Sequence, residues 1–450
     1  MLSISIGLFG LLLLLLGLQI PYGIDFVRRL RVEQLQTNRR LNQTRLGSAA
    51  AVGQSTGEFV PISGQVDQQL PQAAIILCLR GSDPFLADCI TQLLQQDYPN
   101  YSLHIVIDNP QDPAWGVVRS AIAATQRSDG RAVPVRLSSL RTRYNSCSLK
   151  CSALLQAVAE LDPNCQAVAL VDADTITHST WLQELVAPLQ NTQIGATTGN
   201  RWYMPQDSGW GELVRYLWNS SVIVYMEKYR IPWGGSMAVR ADILRQPELI
   251  QSWQHSLVED VTLDQVIRDQ GLEIQPVLSA LMVNRENCTL PNFFRWLQRQ
   301  FVFVRLYHPS WSESLGYNTI LLTTLICTYA MLVVASSTHH WQATLWAGAG
   351  LALNLLISLS LLIAVHRQIC RNLALRSETI TPLSGRALLK LLPALLLSQI
   401  LCGVALISSQ PIRQITWRGI TYQIQGPNQV KLLQYDAYQP LAPTDSTVSL

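Results

Sequence analysis

From Ala73 onward, short apolar runs alternate with segments of helical periodicity. Four such strand and helix pairs follow one another: "AAIILCL" and "PFLADCITQLLQQ", "SLHIVI" and "AWGVVRSAIAAT", "AVPVRL" and "SLKCSALLQAVAEL", "QAVALV" and "STWLQELVAPL". This alternation predicts βαβ units with right-handed crossovers, and therefore an α/β domain with a mostly parallel sheet. We expect that domain to occupy residues 71–285.

The chain begins with a long apolar run, "MLSISIGLFGLLLLLLGLQI". These 20 or so uncharged residues are long enough to cross a hydrocarbon core of ~30 Å as a helix. A cleaved signal peptide is the competing interpretation, but a basic leading region and a small-residue cleavage site are both missing. We therefore predict an N-terminal transmembrane anchor at residues 1–24, followed by a polar juxtamembrane linker at residues 25–70.

Three further apolar runs lie near the C-terminus, at about 316 to 336, 343 to 365 and 387 to 408. The first two predict a transmembrane hairpin. The third contains Lys390 and Pro393 and has basic residues on both flanks, which favours a re-entrant or interfacial segment over a plain span. Residues 313–409 are thus assigned to transmembrane or re-entrant helices, and residues 410–450 to a C-terminal tail.

The segment 286–312 mixes Phe and Trp with arginines at irregular helical spacing. This pattern is typical of an amphipathic helix in the membrane interface, with its aromatic groups toward the bilayer. An ordinary amphipathic surface helix is the alternative.

Charge and cysteine content narrow the setting. Only 14% of residues are charged and the net charge is +3, so the sequence gives no basic face for nucleic acid. The nine cysteines lack C-x-x-C spacing, which argues against a zinc site or a disulfide framework and fits a reducing cytoplasm. The cluster Arg28, Arg29 and Arg31 places the domain after the anchor in the cytoplasm by the positive-inside rule.

Candidate chemistry gathers where strands end. Asp172 and Asp174 follow the run "AVALV", and Asp108 and Asp112 follow "SLHIVI". Side chains at i and i+2 of extended backbone point the same way, so Asp172 and Asp174 can address one Mg²⁺ or Mn²⁺ ion. A solvated turn or cap is the other interpretation of D-x-D. Because "CLRGSDPF" has no phosphate-loop spacing, an anionic ligand would be held mainly by a cation.

Three other stretches carry candidate residues. Asp260 in "VEDVTLDQ" is either a general base or a simple negative charge at a helix start. Gly235 and Ser236 in "PWGGSMAVR" allow close backbone approach to a ligand, or form a structural turn. Lys150 lies in the first turn of a predicted helix. It either contacts a phosphate group of a ligand or is a solvated lysine.

The stretches "CLRGSDPFLADCITQLLQQDYPNYSLHIVIDNPQDPAW", "VDAD", "GGSMAVR" and "VEDVTLDQVIRDQG", in that order, resemble the ceramide glucosyltransferase branch of the family 2 glycosyltransferases. The resemblance covers roughly residues 71 to 306. The tail "ITWRGITYQI" is also similar to the closing segment of membrane enzymes of this group. The resemblance implies a GT-A fold. It also implies an inverting transfer of a hexose, expected to be glucose, from a UDP-sugar to a hydroxyl group of a membrane lipid such as ceramide or diacylglycerol.

The resemblance also implies roles for single residues. On the donor side, Asp112 is expected near the nucleotide, Asp172 and Asp174 hold the metal and diphosphate, and Lys150 matches a lysine of the helix after the third strand.

On the acceptor side, Asp260 matches the catalytic base, and Gly235 and Ser236 match the loop that lines the sugar and acceptor.

One signature departs from the family pattern. The family has Gln or Arg, two residues, then Arg-Trp, whereas "RQFVF" at 299–303 has Val302 and Phe303 in the last two places. Arg299, Gln300 and Arg305 lie nearby as substitutes, and Arg299 and Gln300 are expected to bind the ligand. The sequence thus predicts an integral protein of the cell inner membrane with a cytoplasmic catalytic domain. A processive polysaccharide synthase and a catalytically decayed membrane scaffold remain alternatives.

Overall fold

The computed structural model describes residues 1–52, 70–125, 130, 132–376 and 378–438. Its centre is a seven-stranded sheet in the order β3-β2-β1-β4-β6-β5-β7. The strands are β1 Ala73–Leu79, β2 Tyr101–Ile107, β3 Val135–Ser139, β4 Ala167–Val171, β5 Ile194–Tyr203, β6 Ser236–Arg240 and β7 Glu273–Asn284. All pairs are parallel except those of β6, which runs antiparallel to β4 and β5. The expected α/β class with a mostly parallel sheet is therefore confirmed.

Helices cover both faces of the sheet, as the continuous apolar runs of β1 and β4 require. They are α2 Leu86–Leu94, α3 Ala114–Ala124, α4 Leu149–Ala159, α5 Trp181–Val186, α6 Trp210–Lys228, α7 Ala241–Leu244, α8 Pro247–Trp253 and α9 Asp260–Asp269, with a 3₁₀ turn at Ala187–Gln190. Each of the four predicted strand and helix pairs is present. The first strand, β1, begins at Ala73, where the sequence pattern placed it.

The helix α6 contacts both β5 and the hydrophobic helices, and α10 (Leu290–Tyr307) packs against α6 and α13. Phe293 and Trp296 of α10 are buried, and both rings contact Trp218 of α6. These two of the aromatic groups expected to face the bilayer therefore pack inside the protein, because α6 offers them an apolar partner surface.

Four helices are long and apolar enough to cross a membrane, as judged by length and composition among the described residues. They are α1 Leu2–Val52, through its segment Leu2–Glu33, α11 Trp311–Ser337, α12 Trp341–Leu375 and α13 Gly385–Ser408. The protein is thus an integral membrane protein. The first helix continues to Val52, so the segment expected to be a linker begins as helix, and residues 53–69 lie outside the described residues.

Both ends of α13 contact segments outside the four hydrophobic helices. Near its start, Lys390 donates a 2.9 Å hydrogen bond to the backbone oxygen of Ser208. At its end, Ser408 accepts a 2.8 Å hydrogen bond from Gln298 of α10. The helix also packs against α6, α10 and α11.

The described part of the tail forms an antiparallel sheet of β8 Gln414–Trp417, β9 Ile420–Gly426 and β10 Gln429–Tyr435. This C-terminal sheet docks on the α/β domain. The Tyr422 hydroxyl accepts a hydrogen bond from the backbone of Leu149, and the Leu432 backbone donates to Asn145. Residues 439–450 of the predicted tail lie outside the described residues.

Candidate active site

A cavity of about 280 Å³ opens at the carboxyl ends of β1, β2 and β4. This edge is where open α/β sheets bind ligands. Ionisable side chains line the cavity: Arg80, Asp83, Asp108, Lys150, Asp172, Asp174, Arg201, Glu259, Asp260, Arg299 and Arg418. The structure thus brings most of the predicted site residues into one space, the donor cavity.

Lys150 links two acidic residues that are distant in sequence. Ser148 caps α4 and sets Lys150 in its first turn. The Lys150 ammonium group lies 2.5 Å from Asp172 and 2.6 Å from Glu259. These carboxylates raise the pKa of Lys150 well above its ordinary value despite burial, and Lys150 lowers the pKa of Asp172 although burial opposes it. The lysine is therefore a fixed positive charge beside the D-x-D aspartates.

Asp174 is much less compensated than Asp172. Its nearest cation is Arg201, at 3.9 Å. Burial, and then the neighbouring Asp172 carboxylate, raise the pKa of Asp174 to about 6. A partly buried carboxylate with excess negative charge fits a divalent cation.

A metal ion fits these residues only if other ligands complete its shell. The described residues contain no group of three or more His, Cys, Asp or Glu side chains that could hold an ion. Mg²⁺ commonly binds through one or two carboxylates together with substrate phosphates, so Asp172 and Asp174 meet that requirement.

Asp260 begins α9 and lies beside the loop that contains Gly234 and Gly235, here called the glycine loop. Its carboxylate accepts hydrogen bonds from the backbone of Gly234 at 2.9 Å and of Val261 at 2.7 Å. Burial, and then the adjacent Glu259 carboxylate, raise the pKa of Asp260 to about 7. A carboxylate that titrates near neutrality suits a general base.

The glycine loop supports the carboxylates from behind. A Cβ atom on Gly235 would lie 2.6 Å from Asp172, and one on Gly234 would lie 1.9 Å from Glu259. Ser236 is fully buried and accepts a 2.8 Å hydrogen bond from Trp181. Gly235 and Ser236 therefore lie under the aspartates and are not among the described residues that line the cavity.

Asp112 holds a turn together. It accepts hydrogen bonds from the backbone of Gly81 and Ala114, and burial raises its pKa. Asp112 is also absent from the described cavity lining, whereas Asp108 is part of it and pairs with Arg80. In the structure, Asp112 shapes the loop after β1.

Arg299 and Gln300 extend from α10 into the donor cavity. Burial, and then the positive charges of Arg418 and Arg201, lower the pKa of Arg299 to about 10. Its side chain lies over the ring of Trp417, 5.8 Å from the ring centre. Arg299 is thus a cation that an incoming anion would stabilise.

A second, more apolar cavity of about 370 Å³ adjoins the first. Six residues line both: Arg201, Trp233, Asp260, Trp296, Gln300 and Phe303. The second cavity, which we call the acceptor cavity, is also lined by residues of the four hydrophobic helices: Leu18, Tyr22, Tyr317, Leu361 and Cys402 among them. Asp260 therefore stands where a polar cavity meets an apolar one.

The sequence-based assignment gives no role to several residues of the site, among them Arg201, Trp417 and Arg418. Arg201 lies near the end of β5 and contacts the rings of Trp233 and Trp296. Its position at a strand end on the ligand-binding edge is the signal that points to it. Trp417 and Arg418 belong to the tail segment "ITWRGITYQI". The similarity of this segment to related membrane enzymes did not predict that it contacts the cavity.

Comparison with known proteins identifies a family. The family described as Glycosyl transferase family 21 matches residues 48–430. A ceramide glucosyltransferase of Gibberella zeae is 34% identical over 73 residues, which is 16% of this chain and 14% of that protein.

Solved structures show weaker similarity. A mannosyltransferase of Pyrobaculum calidifontis, in complex with GDP-Man and Mn²⁺, is 14% identical with a TM-score of 0.43, covering 89% of this chain and 97% of that one. A glucosyl-3-phosphoglycerate synthase of Mycobacterium tuberculosis is 15% identical with a TM-score of 0.34, covering 52% and 79%.

Proposed function

Because the chain belongs to glycosyl transferase family 21, we propose that it transfers a hexose from a nucleoside-diphosphate sugar to the hydroxyl group of a membrane lipid. One observation carries this proposal. Asp260 lines both the polar donor cavity and the apolar acceptor cavity. A base at that junction is positioned to act on a lipid hydroxyl that meets a sugar nucleotide.

The acceptor cavity favours a lipid over a soluble acceptor. Its walls come from helices that are long and apolar enough to span a membrane, including Leu18 of α1 and Leu361 of α12. Contact of aliphatic chains with such walls is favourable, because it removes apolar surface from water. The polar residues Asn200 and Asn318 also reach this cavity and are suited to a headgroup. Ceramide and diacylglycerol both meet these requirements.

The proposed reaction is a single in-line displacement. Asp260 accepts the proton of the lipid hydroxyl while the oxygen bonds to the anomeric carbon, and the bond from that carbon to the nucleoside diphosphate breaks. Attack from the side opposite the leaving group inverts the anomeric configuration. Glucose carried by UDP is the proposed donor, in line with the ceramide glucosyltransferase relative.

Positive charge on the donor side assists departure of the diphosphate. Arg201 and Arg299 line the donor cavity, and cations placed where charge develops stabilise the transition state. A Mg²⁺ or Mn²⁺ ion held by Asp172 and Asp174 would supply further charge neutralisation.

We place the catalytic domain on the cytoplasmic side of the inner membrane. Arg28, Arg29 and Arg31 follow the apolar part of α1, and basic residues collect on the cytoplasmic side of membrane helices. A cytoplasmic site would have direct access to sugar nucleotides.

Purified protein incubated with radiolabelled UDP-glucose, Mn²⁺ and either ceramide or diacylglycerol tests the proposal. We expect a labelled, inverted glycolipid from the wild type and a loss of roughly 10²- to 10⁴-fold in rate for Asp260→Asn. Asp162→Asn, on the exposed surface, is the matched control. No glycolipid with any donor among UDP-glucose, UDP-galactose and GDP-mannose would contradict the proposal.

A further inference from the structure

The C-terminal sheet places four residues in the wall of the donor cavity: Ile415, Trp417, Arg418 and Tyr422. We propose that Trp417 and Arg418, together with Arg299, form the binding surface for the diphosphate of the donor. This inference rests on the proposed function and deepens it, because it assigns a binding role to a segment outside the α/β domain.

The position of Arg418 is fixed by several contacts. It donates to the backbone oxygen of Arg80 at 2.7 Å and forms an ion pair with Asp83. In return, the Arg80 guanidinium donates to the backbone oxygen of Arg418 at 2.6 Å. Because Arg80 follows β1, these contacts attach the C-terminal sheet to the edge of the sheet that holds the site.

The backbone at Arg418 is strained. Arg418 and Gly419 form the two-residue turn between β8 and β9, with φ angles of 46° and 76°. Glycine adopts such angles without cost, whereas a residue with a Cβ atom is disfavoured there. Strain of this kind concentrates at functional sites. This turn places Arg418 in the wall of the donor cavity.

The charges of the cavity show which cation an anionic ligand would meet. Arg80 pairs with Asp108, Lys150 with Asp172 and Glu259, Arg418 with Asp83, and Arg201 lies near Asp174. Among the described residues, Arg299 is the cavity cation for which no carboxylate lies within ion-pair distance. It lies next to the Trp417 ring, and so does the guanidinium of Arg418, 5.0 Å from the ring centre.

The departure at "RQFVF" now has a structural counterpart. Val302 is fully buried and packs in one hydrophobic cluster with Ile415, Ile420 and Ile424 of the C-terminal sheet. An arginine at position 302 would bring a charge into this cluster, which is costly without a partner. The valine therefore helps the sheet to dock, and the docked sheet supplies a Trp and an Arg from positions 417 and 418.

Binding of nucleotides to the full-length protein in detergent, with Mn²⁺, tests this role separately from catalysis. The probes are UDP, UMP and uridine, measured by isothermal titration calorimetry. We expect Arg418→Ala to weaken UDP binding roughly tenfold to a hundredfold, with a smaller effect on UMP and none on uridine. Arg299→Ala should act the same way, because both cations face the added phosphate.

Two further variants make the result decisive. Arg418→Lys retains the charge and should recover part of the UDP affinity even if Arg418→Ala docks poorly. Lys431→Ala removes an exposed charge from β10 of the same sheet and should bind UDP like the wild type. Equal UDP affinity in wild type, Arg418→Ala and Arg299→Ala would overturn this inference and leave the proposed function standing. Failure of the wild type to bind UDP, GDP, ADP or CDP would overturn both.

Discussion

The ammonium group of Lys150 lies 2.5 Å from a carboxylate oxygen of Asp172. The first aspartate of the D-x-D motif is thus paired with a cation of the protein, which it shares with Glu259. Asp174, whose nearest cation is 3.9 Å away, carries the uncompensated charge. The two aspartates are adjacent in the motif but differ electrostatically, and their substitution should therefore have different effects.

Asp174→Asn should weaken Mn²⁺ binding more than any other single aspartate substitution in the donor cavity. Because it removes the less compensated carboxylate, we expect a loss of about tenfold or more in Mn²⁺ affinity in the presence of UDP. Electron paramagnetic resonance of free Mn²⁺ measures the effect. Asp162→Asn is the control, and unchanged Mn²⁺ affinity in Asp174→Asn would show that the ion binds elsewhere.

The acceptor reaction should depend on pH through Asp260. Its pKa is raised to about 7 by burial and by Glu259, so the carboxylate is protonated and inactive as a base below that pH. We expect kcat/KM for the lipid to rise with pH and to level off above about 7. A pH profile measured at saturating donor tests this. An identical rise in the residual activity of Asp260→Asn would assign the titration to another group.

Blocking the acceptor cavity should impair the lipid but not the nucleotide. Val222 of α6 lines this cavity, and Val222→Trp would fill part of it. We expect KM for the lipid to rise roughly tenfold, since each buried CH₂ group of an acyl chain contributes about 0.8 kcal/mol, while UDP affinity stays unchanged. Ile326→Trp, on an exposed face of α11, is the matched control. A change of UDP affinity alone would argue against an acceptor cavity at this place.

The C-terminal sheet should lie on the same side of the membrane as the catalytic domain. The α13 helix, 24 residues long, would extend about 36 Å. Yet Lys390, near its start, contacts that domain, and Ser408, at its end, contacts α10. We therefore expect an impermeant maleimide to label Asn428→Cys and Gln95→Cys from the same side, and His340→Cys, in the α11–α12 loop, from the other. A Cys327→Ser background removes the exposed native thiol. Labelling of Asn428→Cys and Gln95→Cys from opposite sides would show that α13 crosses the bilayer.

The sequence by itself determined the parts of this protein that depend on local pattern. Apolar runs and helical periods are set by neighbouring residues, so they predicted the βαβ units, the hydrophobic helices and the start of the sheet at Ala73. The carboxyl ends of parallel strands share one edge, which is why Asp172 could be assigned to the ligand side of the sheet.

Only the tertiary structure decided how distant segments complete the site. Nothing in the pattern around Asp112 distinguishes a residue that binds a loop backbone from one that lines the cavity. In the sequence, Val302 stands in "RQFVF" where the family has an arginine. Its packing in one cluster with Ile415 becomes evident only when the tail is docked. Contacts such as that of Arg80 with Arg418, 338 positions away, depend on where the chain returns. The position of the C-terminal segment is fixed by the burial of many apolar side chains together, so it cannot be predicted from any local stretch of sequence.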